Sequence, residues 1–542
     1  MKGSNTRRRR AGVLVVAAAA VGLAIGVTTA LADDEGQPID FTHNVYDAPA
    51  PVTNAVFGTT PSAKNGQAIC TTTMSLAANV NTDCEGANGQ GIGPHNESSI
   101  AVNPTNPANM IGGLNDYQLS LNPGGHASET VLSRAHVTFD GGHTWTSYPI
   151  NFDSAYQATG DPAVAYDASG HAYYATLGFR FVGPTNVQAP DVLVANSGDG
   201  GKTWASVRIA QGSGNFGSVG TVLDKEYVAA WGNGNAIVTW GNYPLGHKGS
   251  FSTAAIYSSV THNYGATWSA PQVISGSLNE AFVSVPTVAA DGRIYVAFLN
   301  TTDLSTGRDT YEVVEVSPTT GARVAGPFDV ALAIDGFTDY PLAFGRQTYQ
   351  DSTFRSWAAG NITADPTNAA HLAVVWSDMR NSTTPAPADP YAATTNSDVI
   401  VSQSFDRGRN WSAPVALTLS GDQFMPWGAF DASGTLRIGM FDRHYDTANH
   451  MYGYSVATQT GPSSYATSQV STALSDPTRD NRWFAPTVNP AFPHPTSFLG
   501  DYSNIAATPS GGVVAYWTDL REQACFAGIC RHGEDGFFAA AP

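Results

Sequence analysis

Apolar residues along this chain come in short runs, some alternating with polar positions and some wholly apolar, and each run ends in a Gly-, Asn- or Asp-rich turn. Runs of this length with β-branched and aromatic residues read as strands. Paired strands of this kind recur as SSIAVNPTNPANMIGGLNDY (98–117), DPAVAYDASGHAYYATLGF (161–179), EYVAAWGNGNAIVTWGNY (226–243) and VPTVAADGRIYVAFLN (285–300). The series continues as GNITADPTNAAHLAVVWSDMR (360–380), FMPWGAFDASGTLRIGMFDR (424–443) and SNIAATPSGGVVAYWTDLR (503–521). A third and a fourth strand follow, as in DVLVANSGDGGKTWASVRIA, TAAIYSSVTHNYGATWSAPQVIS and DVIVSQSFDRGRNWSAPVALT. Four antiparallel strands per unit, repeated radially, predict an all-β fold: a β-propeller of seven four-stranded blades, or of six if one weak unit is an insertion.

The turn between the outer strands has its own grammar, S-x-D-x-G-x-T-W. It appears as NSGDGGKTW (196–204), TFDGGHTW (138–145), THNYGATW (261–268) and SFDRGRNW (404–411). An aspartate here accepts backbone N–H bonds as in an Asx turn, the glycine supplies positive φ, and the tryptophan covers the apolar underside of the hairpin. The motif therefore reads as a staple rather than as chemistry. Units four and six carry turns without it, SPTTGAR and ATQTGPS.

The seventh unit has too little chain for all its strands, so its outer strand is expected from the N-terminal segment near QPIDFTHNVYDAP (37–49), closing the ring and abolishing its edge. Residues 58–95 are expected to form a surface loop pinned by Cys70 and Cys84. Arg7 to Arg10, an apolar run and Ala30-Leu31-Ala32 read as a secretory signal over residues 1–32, with an uncleaved anchor as the alternative and the twin-arginine route equally open. The domain reading is then a signal over 1–32, an N-terminal extension over 33–92 and the propeller over 93–542. In an exported chain, Cys70 with Cys84 and Cys525 with Cys530 form two local disulfides more economically than a zinc site.

Charged residues make up 13% of the chain and its net charge is −18. Loss of residues 1–32 removes five basic residues and no acid, which takes the charge to −23. Such a surface repels nucleic acid and anionic lipid, so neither is an expected partner.

The S-x-D-x-G-x-T-W turns resemble the Asp-boxes, or bacterial neuraminidase repeats, of the sialidase-like superfamily of β-propellers. The resemblance implies the fold first, since that superfamily holds sialidases, other glycoside hydrolases, polysaccharide lyases and non-catalytic binding propellers. Sialidases use an arginine triad, an aspartate acid/base and a tyrosine nucleophile assisted by glutamate, with one arginine in an Arg-Ile-Pro motif on the first strand. This chain has no arginine between Arg10 and Arg134.

Propeller geometry nominates a site of its own. Residues before first strands and after second strands share one rim, and the stapled turns lie on the opposite face. That rim collects Glu97, Asp161, Asp224-Lys225-Glu226, Asp501-Tyr502, Asn115-Asp116-Tyr117, Arg180, Asp378 with Arg380, Asp442-Arg443 and Asp519 with Arg521. Asp161 or Glu97 is the candidate acid and Tyr502 the candidate nucleophile. Arg380, Arg443 and Arg521 either converge on a substrate carboxylate or sulfate, or brace neighbouring blades through adjacent aspartates. Asp116, Tyr117, Arg180 and Asp501 complete the candidate substrate contacts. No cofactor is called for, although Glu97, Asp116, Asp161 and Asp501 offer oxygens suited to calcium. His95 and His444 flank the rim as candidate bases for a lyase. The function expected is a secreted carbohydrate-active protein, a glycoside hydrolase acting on extracellular glycan at the propeller mouth. The alternatives are a non-catalytic glycan- or protein-binding propeller and a lyase on a uronate-containing glycan.

Overall fold

A computed structural model describes residues 31–32, 38–39, 64–84, 95–121, 127–180, 188–215, 219–245, 253–278, 280–300, 308–334, 349, 358–382, 395–477, 499–526, 529–532 and 534–541. For 31–32, 38–39, 117–121, 127–131, 215, 219, 245, 308, 523–526 and 529–532 it describes the backbone alone. Every element among these residues is a β-strand. Seven antiparallel sheets follow one another along the chain, each built outward from a first strand near the axis, to which blade 3 adds the short strand Ser213–Asn215 on the inner side. Those first strands are His95–Val102, Ala158–Tyr166, Val219–Trp231, Ala281–Val288, Gly360–Ala364, Gln423–Phe430 and Asn504–Ala507, in blades 1 to 7. Each packs against the next, and the seventh packs against the first, so the ring is closed. The protein is a seven-bladed β-propeller, and the count of six falls away.

The second strands form the driest layer. Leu372–Asp378 and Val513–Asp519 are buried along their whole length, which explains their unbroken apolar character: both faces meet a neighbouring blade. The stapled turns add to this seam. Ser197 Oγ donates to Asp199 Oδ1 at 2.8 Å, the backbone N–H of Thr203 donates to the same oxygen at 2.9 Å, and Thr203 Oγ1 donates to Asp199 Oδ2 at 2.7 Å. Trp204 Nε1 donates to the Gly201 carbonyl at 2.9 Å, which tucks the indole under its own turn. The Asp140, Asn263 and Asp406 turns repeat this pattern. The tryptophan reaches farther than its own hairpin, however: Trp145 of blade 1 packs against Tyr516 and Phe538 of blade 7 at centroid distances of 6.0 and 5.2 Å. Gly142 in that turn holds φ 97°, and a side chain there would collide with the Phe538 ring.

Ring closure differs from the expectation. The outermost strand of blade 7 is Val80–Asn81, paired with Phe538 and Phe537, and not the segment near 37–49. Of that segment only Pro38–Ile39 is described, paired with Leu31–Ala32. The reason is reach. Cys70–Thr71 adds to the outer strand of blade 1, the Cys70–Cys84 disulfide folds the chain back, and the short stretch between them spans the seam from blade 1 to blade 7. Residues 70–84 are thus a clasp made of two edge strands, where a surface loop was expected. Thr82 completes it, donating its N–H to the Gly536 carbonyl at 2.8 Å and sharing a hydroxyl contact with Tyr516 at 2.7 Å. Cys525 and Cys530 face one another across a two-stranded hairpin, Gln523–Phe526 with Ile529–His532, but their side chains lie outside the described residues. So does nearly all of the expected signal segment.

Candidate functional site

Five first strands begin with the same irregularity. Near the mouth each carries a bulge, and at it one residue adopts a left-handed backbone: Glu97 (φ 55°), Asp161 (59°), Lys225 (54°), Val283 (51°) and Met425 (47°). A non-glycine residue in this region costs about 1–2 kcal/mol, and a bulge re-aims the side chain it carries. The position is apolar in blades 4 and 6 and charged in blades 1, 2 and 3. One side of the inner ring is therefore polar by sequence.

The charged positions converge. The Lys225 ammonium lies 2.8 Å from Asp161 Oδ2, 2.5 Å from Asp501 Oδ2 and 3.7 Å from Glu97 Oε1, joining blades 1, 2, 3 and 7. Asn115 positions two of these groups, donating to Glu97 Oε2 at 3.0 Å and accepting the Asp161 N–H at 2.9 Å. Two residues deeper along the same strands, Tyr227 stacks on Trp427 from across the ring at 5.6 Å. Tyr227 also meets the ring of Tyr502 edge-on at 5.6 Å, so aromatic rings form a floor under the charges. The Tyr502 hydroxyl donates to the Pro162 carbonyl at 3.1 Å, and burial, followed by the Glu97 and Asp161 charges, raises its pKa well above the usual phenol range.

Among the described residues, acids outnumber the cation in this buried cluster. Glu97, Asp161, Asp224, Glu226 and Asp501 are each 1–4% exposed and share the single ammonium of Lys225. Burial favours the neutral form of several of these acids. Burial first, and then the Asp161 charge, pushes the Glu97 carboxyl well above its usual range, and a side-chain hydrogen bond to Asp161 adds to the shift. Burial raises Asp224 to about 7, against the opposing effect of Lys225. Glu226 is raised well above its usual range by burial and then by Asp161, and neither of its carboxyl oxygens has a hydrogen-bond partner. Burial alone would lower the pKa of Lys225, but Asp161, Asp501, Glu97 and Asp224 together lift it well above the usual lysine range. The site thus holds buried carboxyl groups with raised pKa values beside a lysine ammonium.

The other rim residues are spoken for locally. Arg380 grips Asp378 through Nε at 2.9 Å and Nη2 at 2.6 Å, and Nη2 also donates to the Leu332 carbonyl of blade 4. Arg521 grips Asp519 in the same way, at 2.8 and 2.6 Å, and Nη1 reaches Thr472 beyond blade 6 at 2.7 Å. In both blades the same aspartate also accepts the indole N–H of the tryptophan two residues earlier, Trp376 or Trp517. Arg443 is fully buried, with Nη1 3.2 Å from Asp422 and 3.0 Å from the Asn449 carbonyl. Of the two readings of these arginines, the contacts of Arg380 and Arg521 match the brace between blades, and those of Arg443 stay within blade 6. Arg180 pairs with Asp191 at 3.1 Å.

Asp116 stands apart from the axial cluster, between His95 Nε2 at 3.4 Å and Arg134 Nε at 3.1 Å. Burial opposes its ionisation, but His95 and Arg134 hold its carboxyl well below the usual range. The four acids considered for calcium therefore do not surround one space, and Lys225 already sits among Glu97, Asp161 and Asp501. The side chain of Tyr117 lies outside the described residues. His444 forms a separate pair, its Nδ1 2.6 Å from Asp442 Oδ2, with its ring against Tyr445.

Lys225 is the group that the candidate roles passed over. It is one of five lysines in the chain and lies inside a strand between two acids, an unusual place for a solvated cation. That setting is the signal a sequence reading had available.

No family model matches this chain, and no curated protein does. Among solved structures it is similar to a protein of unknown function from Dyadobacter fermentans, at 12% identity over 70% of this chain and 95% of that one, with a TM-score of 0.39. A Hadza microbial sialidase is 12% identical over 77% of this chain and 75% of its own, at 0.40. The GH93 alpha-L-arabinofuranosidase of Fusarium graminearum is 12% identical over 82% and 93%, at 0.41. Likenesses this distant bear on neither substrate nor mechanism.

Proposed function

We propose that this chain is an exported carbohydrate-active propeller of the sialidase-like type, which hydrolyses glycosidic bonds of extracellular glycans at the mouth of the ring. The observation that carries the reading is the meeting of Glu97, Asp161 and Asp501 on Lys225 above an aromatic floor. The Asp-box character of the four stapled turns and the signal-like segment at residues 1–32 support the setting.

In this reading Glu97, buried and hydrogen-bonded to Asp161, delivers a proton to the leaving glycosidic oxygen. Asp501, on another side of the lysine, is the carboxylate that attacks the anomeric carbon or activates water. Lys225 fixes the spacing and charge of the group. Tyr502 and Tyr227 form the apolar floor that supports the acids, a role that suits a neutral, hydrogen-bonded phenol better than nucleophilic attack does. The acids are nearly inaccessible, so substrate binding requires a path to open to them, and their burial excludes water from the reacting bond.

The test is incubation with neutral, sialylated and uronate-bearing glycans while reducing ends are measured. A hydrolase yields new reducing ends that vanish in Glu97→Gln. A second reading, a uronate lyase, draws on the Asp442-oriented imidazole of His444 beside Tyr445. It requires the absorbance of an unsaturated uronate and loss of that signal in His444→Gln. Neither product from the wild type would leave a binding propeller.

A further inference from the structure

At the seam where the ring closes, three side chains from three separate segments converge. Asp83 comes from the clasp beside Cys84, His95 opens the first strand of blade 1, and Asp535 opens the third strand of blade 7. One ligand atom from each, two carboxylate oxygens and an imidazole nitrogen, lies within 4.8 Å of the others. This is not a solvated acidic patch: the side chain of His95 is fully buried and that of Asp83 is 5% exposed.

The imidazole is set up as metal-bound histidines are. Its Nε2 faces Asp116 Oδ1 at 3.4 Å, and Asp116 is itself held by Arg134, so Nδ1 is turned toward Asp83 at 3.6 Å. A carboxylate behind the distal nitrogen fixes ring orientation and raises the basicity of the proximal one. Two carboxylates held together in a low-dielectric seam repel one another unless a cation or a proton lies between them.

We propose that Asp83, His95 and Asp535 bind one first-row divalent transition-metal ion, which clamps the N-terminal clasp to blades 1 and 7. A nitrogen ligand with two carboxylates favours Zn²⁺ or Mn²⁺ over Ca²⁺ or Mg²⁺, which prefer oxygen alone. The role is structural, because the ion ties together the two ends of a closed ring, and it is independent of the hydrolase reading.

The full chain, stripped with EDTA and dialysed, is titrated calorimetrically with ZnCl₂ and MnCl₂, with CaCl₂ and MgCl₂ as controls, and its melting temperature is followed in parallel. The expected result is about one equivalent of Zn²⁺ or Mn²⁺ bound and a rise in melting temperature of about 2 °C or more at saturation. Asp535→Asn, which keeps the shape of the side chain, is expected to weaken binding at least about tenfold and to abolish the rise. Should that variant fail to fold, Asp83→Asn gives the same readout. Absence of binding to the stripped wild type, binding of Ca²⁺ in preference to both transition metals, or unchanged affinity in a folded variant each overturns the proposal.

Discussion

Lys225→Met keeps most of the side-chain volume and removes one charge, leaving Asp161, Asp501 and Glu97 facing one another without the ammonium that now lies 2.8, 2.5 and 3.7 Å away. Breaking a buried ion pair by deleting one partner costs about 3–5 kcal/mol, because the remaining charge is stranded in low dielectric. With an unfolding entropy of about 2.1 cal/mol/K per residue, 542 residues give roughly 1.1 kcal/mol/K, so the melting temperature should fall by about 3–4 °C at pH 7. The loss has a definite pH dependence. Without the lysine, the folded-state pKa values of Glu97 and Asp224, already above their unfolded values near 4, rise further. Their contribution to stability is then fully present below about pH 4 and is lost as pH rises through the folded values. The assay is differential scanning calorimetry of wild type and variant at pH 4 and pH 7. A deficit of about 3 °C or more at pH 7 that shrinks to below about 1 °C at pH 4 is the expected pattern. An equal deficit at both pH values would show that packing, and not charge, is what Lys225 contributes, and would refute the reasoning.

Three further outcomes follow from other parts of the molecule. Asp224, raised by burial from 3.8 to about 7, binds more protons folded than unfolded between those values, so wild-type stability should decline from about pH 4 to pH 7 through this group, and Asp224→Asn should flatten that part of a melting-temperature profile. Asp199→Ala removes the acceptor of the turn bonds from Ser197, Lys202 and Thr203 and should cost about 1–2 kcal/mol by chemical denaturation, while glycan binding at the opposite end stays unchanged. Glu97→Gln should lower kcat by about 100-fold or more with an unaltered far-ultraviolet dichroism spectrum, as loss of a proton donor does.

The blades were legible because each repeats an apolar second strand flanked by Gly- and Asp-rich turns, and four of them add a tryptophan three residues after a turn glycine. The closing strand was not. Val80–Asn81 is two residues long, shows no alternation, and is defined only by the blade 7 strand it joins and by the disulfide that brings it there. The rim was legible as a set of positions, and Glu97, Asp161 and Asp501 do meet. Their partners were not, because pairing across the ring depends on which blades adjoin the axis. The repeated Asp and Arg of WSDMR and WTDLR suggested either a brace or an anion site, and only the contacts of Arg380 with Leu332 and of Arg521 with Thr472 separate the two. The left-handed bulge that aims Glu97, Asp161 and Lys225 inward left no mark in residue type, since Val283 and Met425 occupy the same position.

The most direct test of the account is the initial rate of reducing-end release from a neutral glycan cleaved by the wild type, compared with Glu97→Gln and Asp501→Asn after each variant has been shown to bind that glycan. The account predicts retained binding with release cut by at least about two orders of magnitude in both. Wild-type rates in the two folded variants would place the chemistry elsewhere on the propeller.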